Sequence, residues 1–269
     1  MNNDGITAFM FTGAYRVPLP LLTSSPMTDI VLIHEVIGVG ELAISDYRSS
    51  VPSFDELARI ASDCRVASLL AKKSGTVHVH VGKGAPGLQP LWDLLEKTEV
   101  PITQFHPTHL AGRTQELLDD AKRWAKAGGF IDFTADDEEV DNTCLEALRQ
   151  CRADGVPMSQ VTLSSDAYGS FPYFDDDGQV ISYGVGKPDT LLWSLKTLVT
   201  TQGWTMEEAL NLITKNVATV YQLGRKGQIQ VGFDGDLVLL TPDFKIEYVF
   251  AKGKEVVVPG WVKKGMFEP

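Results

Sequence analysis

Short runs rich in β-branched and aromatic residues recur along most of the chain, at Ile6 to Thr12, Val39 to Ser45, Thr76 to Val81, Ile102 to Phe105, Phe130 to Thr134 and Val161 to Ser165. Between them apolar residues return at helical spacing, most clearly over Phe54 to Lys72, Thr114 to Ala127, Asn142 to Asp154 and Lys187 to Thr201. This alternation predicts parallel strands joined by crossover helices, because a parallel pair cannot be closed by a tight turn. Ser53 with Glu56 forms a capping box, and Gly128-Gly129 ends the helix that closes near Ala127. Thr205 and Glu208 open a further predicted helix running to Leu223.

After Gly224 the pattern changes to short strands, at Gly227 to Val231, Leu237 to Thr241, Ile246 to Ala251 and Glu255 to Val258, separated by Gly, Asp and Pro turns. The chain therefore divides into an α/β body over 1–223 and a small antiparallel β-unit over 224–269, which suits the strands of a small β-sandwich domain. Six strand-helix units fit either an open doubly wound sheet or a barrel, and periodicity does not separate the two. Glu41, His80, His109 and Asp166 do, because they fall at or near the C-terminal ends of four different strands, where a (β/α)8 barrel assembles a site. The expected fold is an incomplete (β/α)8 TIM-type barrel of about six βα units, two short of closure, with the β-tail beside it.

Composition narrows the function. Hydrophobic residues make up 43% and charged residues 22%, as in an ordinary globular protein. A net charge of −11 argues against nucleic acid or an anionic membrane surface as partner. Cys64, Cys144 and Cys151 are odd in number and lack CxxC spacing, so neither a disulfide framework nor a thiolate metal site is indicated. With no apolar run long enough for a span and no signal pattern at Met1-Asn2-Asn3-Asp4, a soluble cytoplasmic protein is expected.

Thr76-Val77-His78-Val79-His80-Val81 and Phe105-His106-Pro107-Thr108-His109 each bring histidine to a strand end, where imidazoles from neighbouring strands can converge on one ion. His78 and His80 share a face, so an HxH pair is conceivable, although a supporting role for His78 is preferred; His34, in a helical stretch, reads as structural or exposed. Leu163-Ser164-Ser165-Asp166 ends a hydrophobic strand with a carboxylate able to serve as general base, although a helix N-cap or turn aspartate is the commoner use of that position. Gly38-Val39-Gly40 lacks the third glycine of a dinucleotide site. Asp136-Asp137-Glu138-Glu139 reads as a solvated loop, and Asp175-Asp176-Asp177-Gly178 as a hairpin turn.

The strings Phe11-Thr12-Gly13-Ala14-Tyr15, Val36-Ile37-Gly38-Val39 running into Ala43-Ile44-Ser45-Asp46-Tyr47-Arg48, Leu88-Gln89-Pro90, Pro107-Thr108-His109, and Ser164-Ser165-Asp166 through Gly169-Ser170 occur in one order over nearly the whole chain. In that order they resemble the isoaspartyl dipeptidases (β-aspartyl peptidases) of the metal-dependent amidohydrolase superfamily. The resemblance implies hydrolysis of β-aspartyl dipeptides by metal-activated water and two zinc ions bridged by an acidic group, which falls here on Glu41. It implies His80 and His109 as ligands of the second zinc and Asp166 as ligand of the first and proton shuttle. It further assigns Tyr15 to polarising the scissile carbonyl, and Arg48, Arg113 and Ser170 to the substrate's charged ends, with Arg113 one residue out of register. A homo-oligomer is also implied.

The family's first-strand HxH pair and its second strand would lie before Met1, so a shortened, split or fragmentary chain is expected, with Glu41, His80 and His109 left as a three-ligand site for one zinc. Two other readings stand beside this one. One is an amidohydrolase for another amide or cyclic amide, as in dihydroorotases or D-aminoacylases; the other is an inactive fragment or subunit.

Overall fold

The computed structural model describes residues 5–136, 142–175 and 179–265. Six parallel strands alternate with helices along its body: β1 (Met10–Thr12), α1 (Pro26–Leu32), β2 (Val36–Ile44), α2 (Phe54–Ala71), β3 (Thr76–Val81), α3 (Gln89–Lys97), β4 (Phe105–Thr108), α4 (Gln115–Lys126), β5 (Ile131–Thr134), α5 (Thr143–Ala153) and β6 (Val161–Ser164). β1, β2, β3 and β4 are hydrogen-bonded in that order, β5 pairs with β6, and β4 lies beside β5. These are consecutive staves of a TIM-type barrel.

The two faces of the staves differ in chemistry because side chains alternate along a strand. On β3, Val77, Val79 and Val81 are at most 1% exposed and belong to the apolar core, together with Leu57, Ile60 and Leu91 from the helices. His78 and His80 point the other way. Register carries this polar set across the barrel, pairing His78 with His106, His80 with Thr108, Asp132 with Thr162 and Thr134 with Ser164. Burying apolar side chains against α2 to α5 holds the wall at about 1.5–3 kcal/mol for each large residue, and leaves the lumen to hydrogen-bonding groups.

Beyond β6 come an antiparallel pair, β7 (Ser170–Phe174) and β8 (Val180–Val185), then α6 (Thr190–Thr200), α7 (Met206–Ile213) and α8 (Lys215–Val220). The tail is a four-stranded antiparallel sheet of β9 (Leu237–Leu240), β10 (Ile246–Ala251), β11 (Lys254–Val258) and β12 (Trp261–Val262), in the order β12-β11-β10-β9.

Several boundaries depart from the sequence expectation, each for a local reason. Residues 6–9 are not in β1, because its ladder partner β2 begins at Val36, opposite Met10. After Pro101 the chain makes one 3-10 turn over Ile102–Gln104, so β4 starts only at Phe105 and carries His106 and Thr108 within it. The helix expected from Thr205 to Leu223 is two, broken at Thr214, whose backbone leaves the helical region with φ of −130° and ψ of −84°. Gly227 to Val231 is not a strand. Lys226 pairs with Asp234 (2.9 Å) and Asp236 and closes this stretch into a loop, leaving Ile229 and Val231 exposed.

His34 sits in the exposed turn after α1 rather than within a helix. Asp136 is buried rather than solvated: its carboxylate caps α5, accepting from Cys144 N and Leu145 N (3.1 Å) and from the Thr143 hydroxyl (3.1 Å). Residues 137–139 and the hairpin turn at 176–178 lie outside the described residues.

Candidate metal centre at the barrel rim

Glu41 reaches the lumen through an irregularity in β2. Val39 pairs with Val77 and Leu42 with Val79, so β2 carries one residue more than β3 between these pairs, a bulge centred on Gly40 and Glu41. A Cβ on Gly40 would sit 2.8 Å from the Cβ of His78, so only glycine lets β2 approach β3 there. The extra residue turns the Glu41 carboxylate toward the histidines. His80 is next to last in β3, and His109 follows β4 with φ of 63°.

Ligand atoms of Glu41, His80 and His109 all lie within 4.8 Å of one another. His109 Nε2 is 3.0 Å from Glu41 Oε1, and His80 Nδ1 is 3.7 Å from Glu41 Oε2. Two ligands bound tetrahedrally to zinc at 2.0–2.1 Å stand roughly 3.3 Å apart, so this donor set fits a small divalent ion with little movement. Burial alone would raise the Glu41 carboxyl, but the imidazoles of His109 and His80 outweigh it and hold the group well below the usual carboxylate range.

The imidazoles are oriented from behind. His109 Nδ1 lies 2.6 Å from the Thr134 hydroxyl. His80 Nε2 lies 2.9 Å from Asp46 Oδ2, and Asp46 also accepts from Arg48 through Nε (3.0 Å), Nη2 (3.2 Å) and the backbone N–H (2.7 Å). Sequence reading missed Asp46 and Thr134. Asp46 lies within a string already singled out, two residues before Arg48, but its partner is 34 positions away.

Asp166 is not in the tight triad. It stands at the exposed rim two residues beyond β6, with φ of 46°, close enough for its carboxyl to feel His109, Glu41 and His80. Desolvation by surrounding protein is the largest influence on it and pushes it above the usual range, with Glu41 adding to the effect. Gly169 makes room, since a Cβ there would lie 2.5 Å from Asp166 Oδ1.

Tyr15 OH is 3.1 Å from His80 Nδ1, and burial together with Glu41 raises its phenol above the ordinary value. Arg48 lies between the rings of Tyr15 (5.1 Å) and Tyr47 (5.3 Å). Arg113 contacts His109 O (3.4 Å) through Nε, and burial lowers its guanidinium although Asp46 opposes this. The structure thus gathers Tyr15, Glu41, Arg48, His80, His109 and Arg113. Ser170 is exposed at the start of β7, and no contact joins it to that group among the described residues.

Beneath the rim lies a second polar layer. Asp132 is fully buried and accepts from the hydroxyls of Thr108 (2.7 Å), Ser164 (2.6 Å) and Thr162 (2.6 Å). His106 bridges Thr162 (3.0 Å) and Tyr221 OH (2.7 Å). Burial raises the Asp132 carboxyl despite three hydroxyl donors, and lowers His106 well below the ordinary imidazole value. His78 stacks on Phe11 (5.3 Å), and its Nδ1 is buried with no hydrogen-bond partner among the described residues.

A parallel barrel with histidine and carboxylate ligands at its C-terminal rim is the layout of a metal-assisted hydrolase. The model of the Amidohydrolase family matches residues 93–256, and the chain belongs to this family, among the β-aspartyl dipeptidases. The structure superposes on the β-aspartyl dipeptidase of Fervidobacterium islandicum AW-1, crystallised with a β-Asp-Leu dipeptide, with a TM-score of 0.93 at 40% identity, over 99% of this chain and 69% of that one. A second structure of a β-aspartyl dipeptidase from this source gives 0.89 at 38% identity, covering 99% and 68%. A dihydroorotase of Methanosphaera stadtmanae is 25% identical over 170 residues, 56% of this chain and 39% of that one.

Proposed function

We propose that this chain hydrolyses β-aspartyl (isoaspartyl) dipeptides with the help of a divalent ion, zinc by choice of ligands, held by Glu41, His80 and His109. The observation carrying this reading is the convergence within 4.8 Å of three ligand atoms, from β2, from β3 and from the residue just after β4, with two guanidiniums and a phenol beside them. Bound there, the ion would supply Lewis acidity and a water acidic enough to act as nucleophile near neutral pH. Asp166, whose carboxyl lost solvent raises above the ordinary value, would take the water's proton and pass it to the leaving amine. Tyr15 donates its phenolic hydrogen to the carbonyl oxygen as charge builds there, a role helped by a phenol that stays protonated. Arg48 and Arg113 grip the substrate carboxylates, and Ser170 closes over one charged end from β7. Asp166 is also available as a fourth ligand to the cluster.

The β-Asp-Leu dipeptide found with the Fervidobacterium enzyme supports this substrate class. The dihydroorotase likeness keeps a cyclic amide as the second reading, and the two arginines favour the dipeptide because a small ring needs only one carboxylate partner. We also assign residues 1–223 to the barrel and 224–269 to the β-unit, and expect a homo-oligomer in the reducing cytoplasm, where three buried free thiols are at ease. No helix among the described residues is long and apolar enough to cross a membrane.

The test is turnover of β-Asp-Leu by the purified chain supplied with zinc, beside dihydroorotate and an N-acyl-D-amino acid. Glu41→Ala and His109→Ala should abolish both metal uptake and turnover, and Tyr15→Phe should lower kcat by about 10²–10³-fold with metal retained. Zinc uptake with no amide hydrolysed by the wild-type chain would show a binding protein instead of an enzyme.

A further inference from the structure

His80 faces two ways. Its Nδ1 looks into the triad, 3.7 Å from Glu41 Oε2 and 3.1 Å from Tyr15 OH. Its Nε2 looks outward, with Asp46 Oδ2 at 2.9 Å and Arg48 Nη2 at 3.1 Å. A neutral imidazole carries one proton, so these neighbours favour opposite tautomers. If Nε2 holds the proton it donates to Asp46, and Nδ1 presents a lone pair to the cluster. If Arg48 donates to Nε2, the proton moves to Nδ1 and the ligand lone pair is lost.

Geometry decides between them. Asp46 Oδ2 is nearer, it is a charged acceptor that cannot donate, and Arg48 is already engaged by Asp46 through Nε and Nη2. Both partners are enclosed, with side-chain exposures of 2% for His80 and 3% for Asp46, so water cannot substitute for either.

We propose that Asp46 is a positioning residue that accepts the Nε2 proton of His80 and so fixes the tautomer whose Nδ1 lone pair faces Glu41 and His109. The inference rests on the metal-site reading given above. It also makes Asp46 the link between a metal ligand and Arg48, so that metal uptake and carboxylate binding are coupled through one side chain.

Asp46→Asn is the informative change. It keeps Oδ1 to accept from Arg48 N–H, but turns an N–H donor toward Nε2 and favours the opposite tautomer. Asp46→Ala removes both functions, and Arg48→Ala removes the competing donor while leaving the carboxylate. Two readouts are needed. Zinc affinity by chelator competition should fall about 10–100-fold in Asp46→Asn, at least as far as in Asp46→Ala, and should stay within a few-fold of wild type in Arg48→Ala. A purely structural role would instead rank Ala as the more damaged, because Ala loses the turn hydrogen bond as well. The second readout is ¹⁵N NMR of the chain labelled at its five histidines, recorded without metal at alkaline pH, with His80 assigned by the resonances lost in His80→Gln. Wild type should show a protonated Nε2 and a bare Nδ1, and Asp46→Asn the reverse. A bare Nε2 in wild type, or zinc affinity unchanged in Asp46→Asn, would overturn the role of Asp46. A wild-type chain that takes up no zinc would overturn the metal reading alone, because the tautomer is measured without the ion.

Discussion

Asp29 shows how a single buried charge is made tolerable. It has no exposed surface, and it accepts from the hydroxyls of Thr12 (2.5 Å) and Thr23 (2.5 Å) and from the backbone N–H of Leu22 (3.0 Å) and Thr23 (2.6 Å). Burial opposes ionisation, and these four donors outweigh it, leaving the carboxyl below its ordinary value. The folded state therefore binds fewer protons here than the unfolded one. The resulting stability is fully present above the unfolded carboxylate value of about 3.9 and is lost as pH falls through the lower folded value. Asp29→Asn should lower unfolding free energy at pH 7 by about 1–3 kcal/mol, and the gap to wild type should shrink at pH 3 in paired denaturant melts. At this scale residue type pointed to His80 and His109 at strand ends, while Glu41 drew notice as a bridging group only through the family resemblance; the structure brings ligand atoms of all three together. The sequence was unreadable where an ordinary residue gains its role from a distant neighbour: Asp46, Thr134 and Asp29 look like turn and helix residues until the fold brings up their partners.

The bulge in β2 decides whether the site exists. A regular strand would hold Glu41 in the alternation set by Val39 and aim it differently, so the added residue is what brings a carboxylate among the imidazoles. Gly40→Ala would drive a methyl group against the His78 Cβ at 2.8 Å and force β2 and β3 apart. Its cost should be about 1–3 kcal/mol in urea titrations, accompanied by weaker zinc uptake, whereas simple packing loss elsewhere in the wall would lower stability and spare the metal. Strand and helix alternation was legible because each βα unit is a local pattern with its own caps, such as the Ser53 and Thr205 boxes, both present. What escaped were breaks set by tertiary demands. Thr214 divides a continuous helical pattern, and an ion-pair cluster around Lys226 holds Gly227 to Val231 out of the sheet.

At the scale of the molecule the arrangement separates two duties. From β3 to β6 the outward faces of the staves are hydrocarbon and pack on helices, while the inward faces are hydroxyl, imidazole and carboxylate. This division was half visible, since Thr76-Val77-His78-Val79-His80-Val81 alternates openly, whereas Ile131-Asp132-Phe133-Thr134 and Val161-Thr162-Leu163-Ser164 are too short for their polar members to be read as one layer.

That layer constrains how this lumen can drift. Thr162 is matched in volume by valine, yet its hydroxyl serves Asp132 and His106 together; Thr162→Val should cost about 1–3 kcal/mol, measurable by chemical denaturation. An exchange on the outer wall that adds one methylene, such as Val79→Ile, meets only a demand for volume, because Val79 packs in hydrocarbon and breaks no hydrogen bond when it changes. Descendants of this chain can therefore vary their outer wall one position at a time, but must alter the inner one in matched sets, because each inward group is the other half of a neighbour's bond.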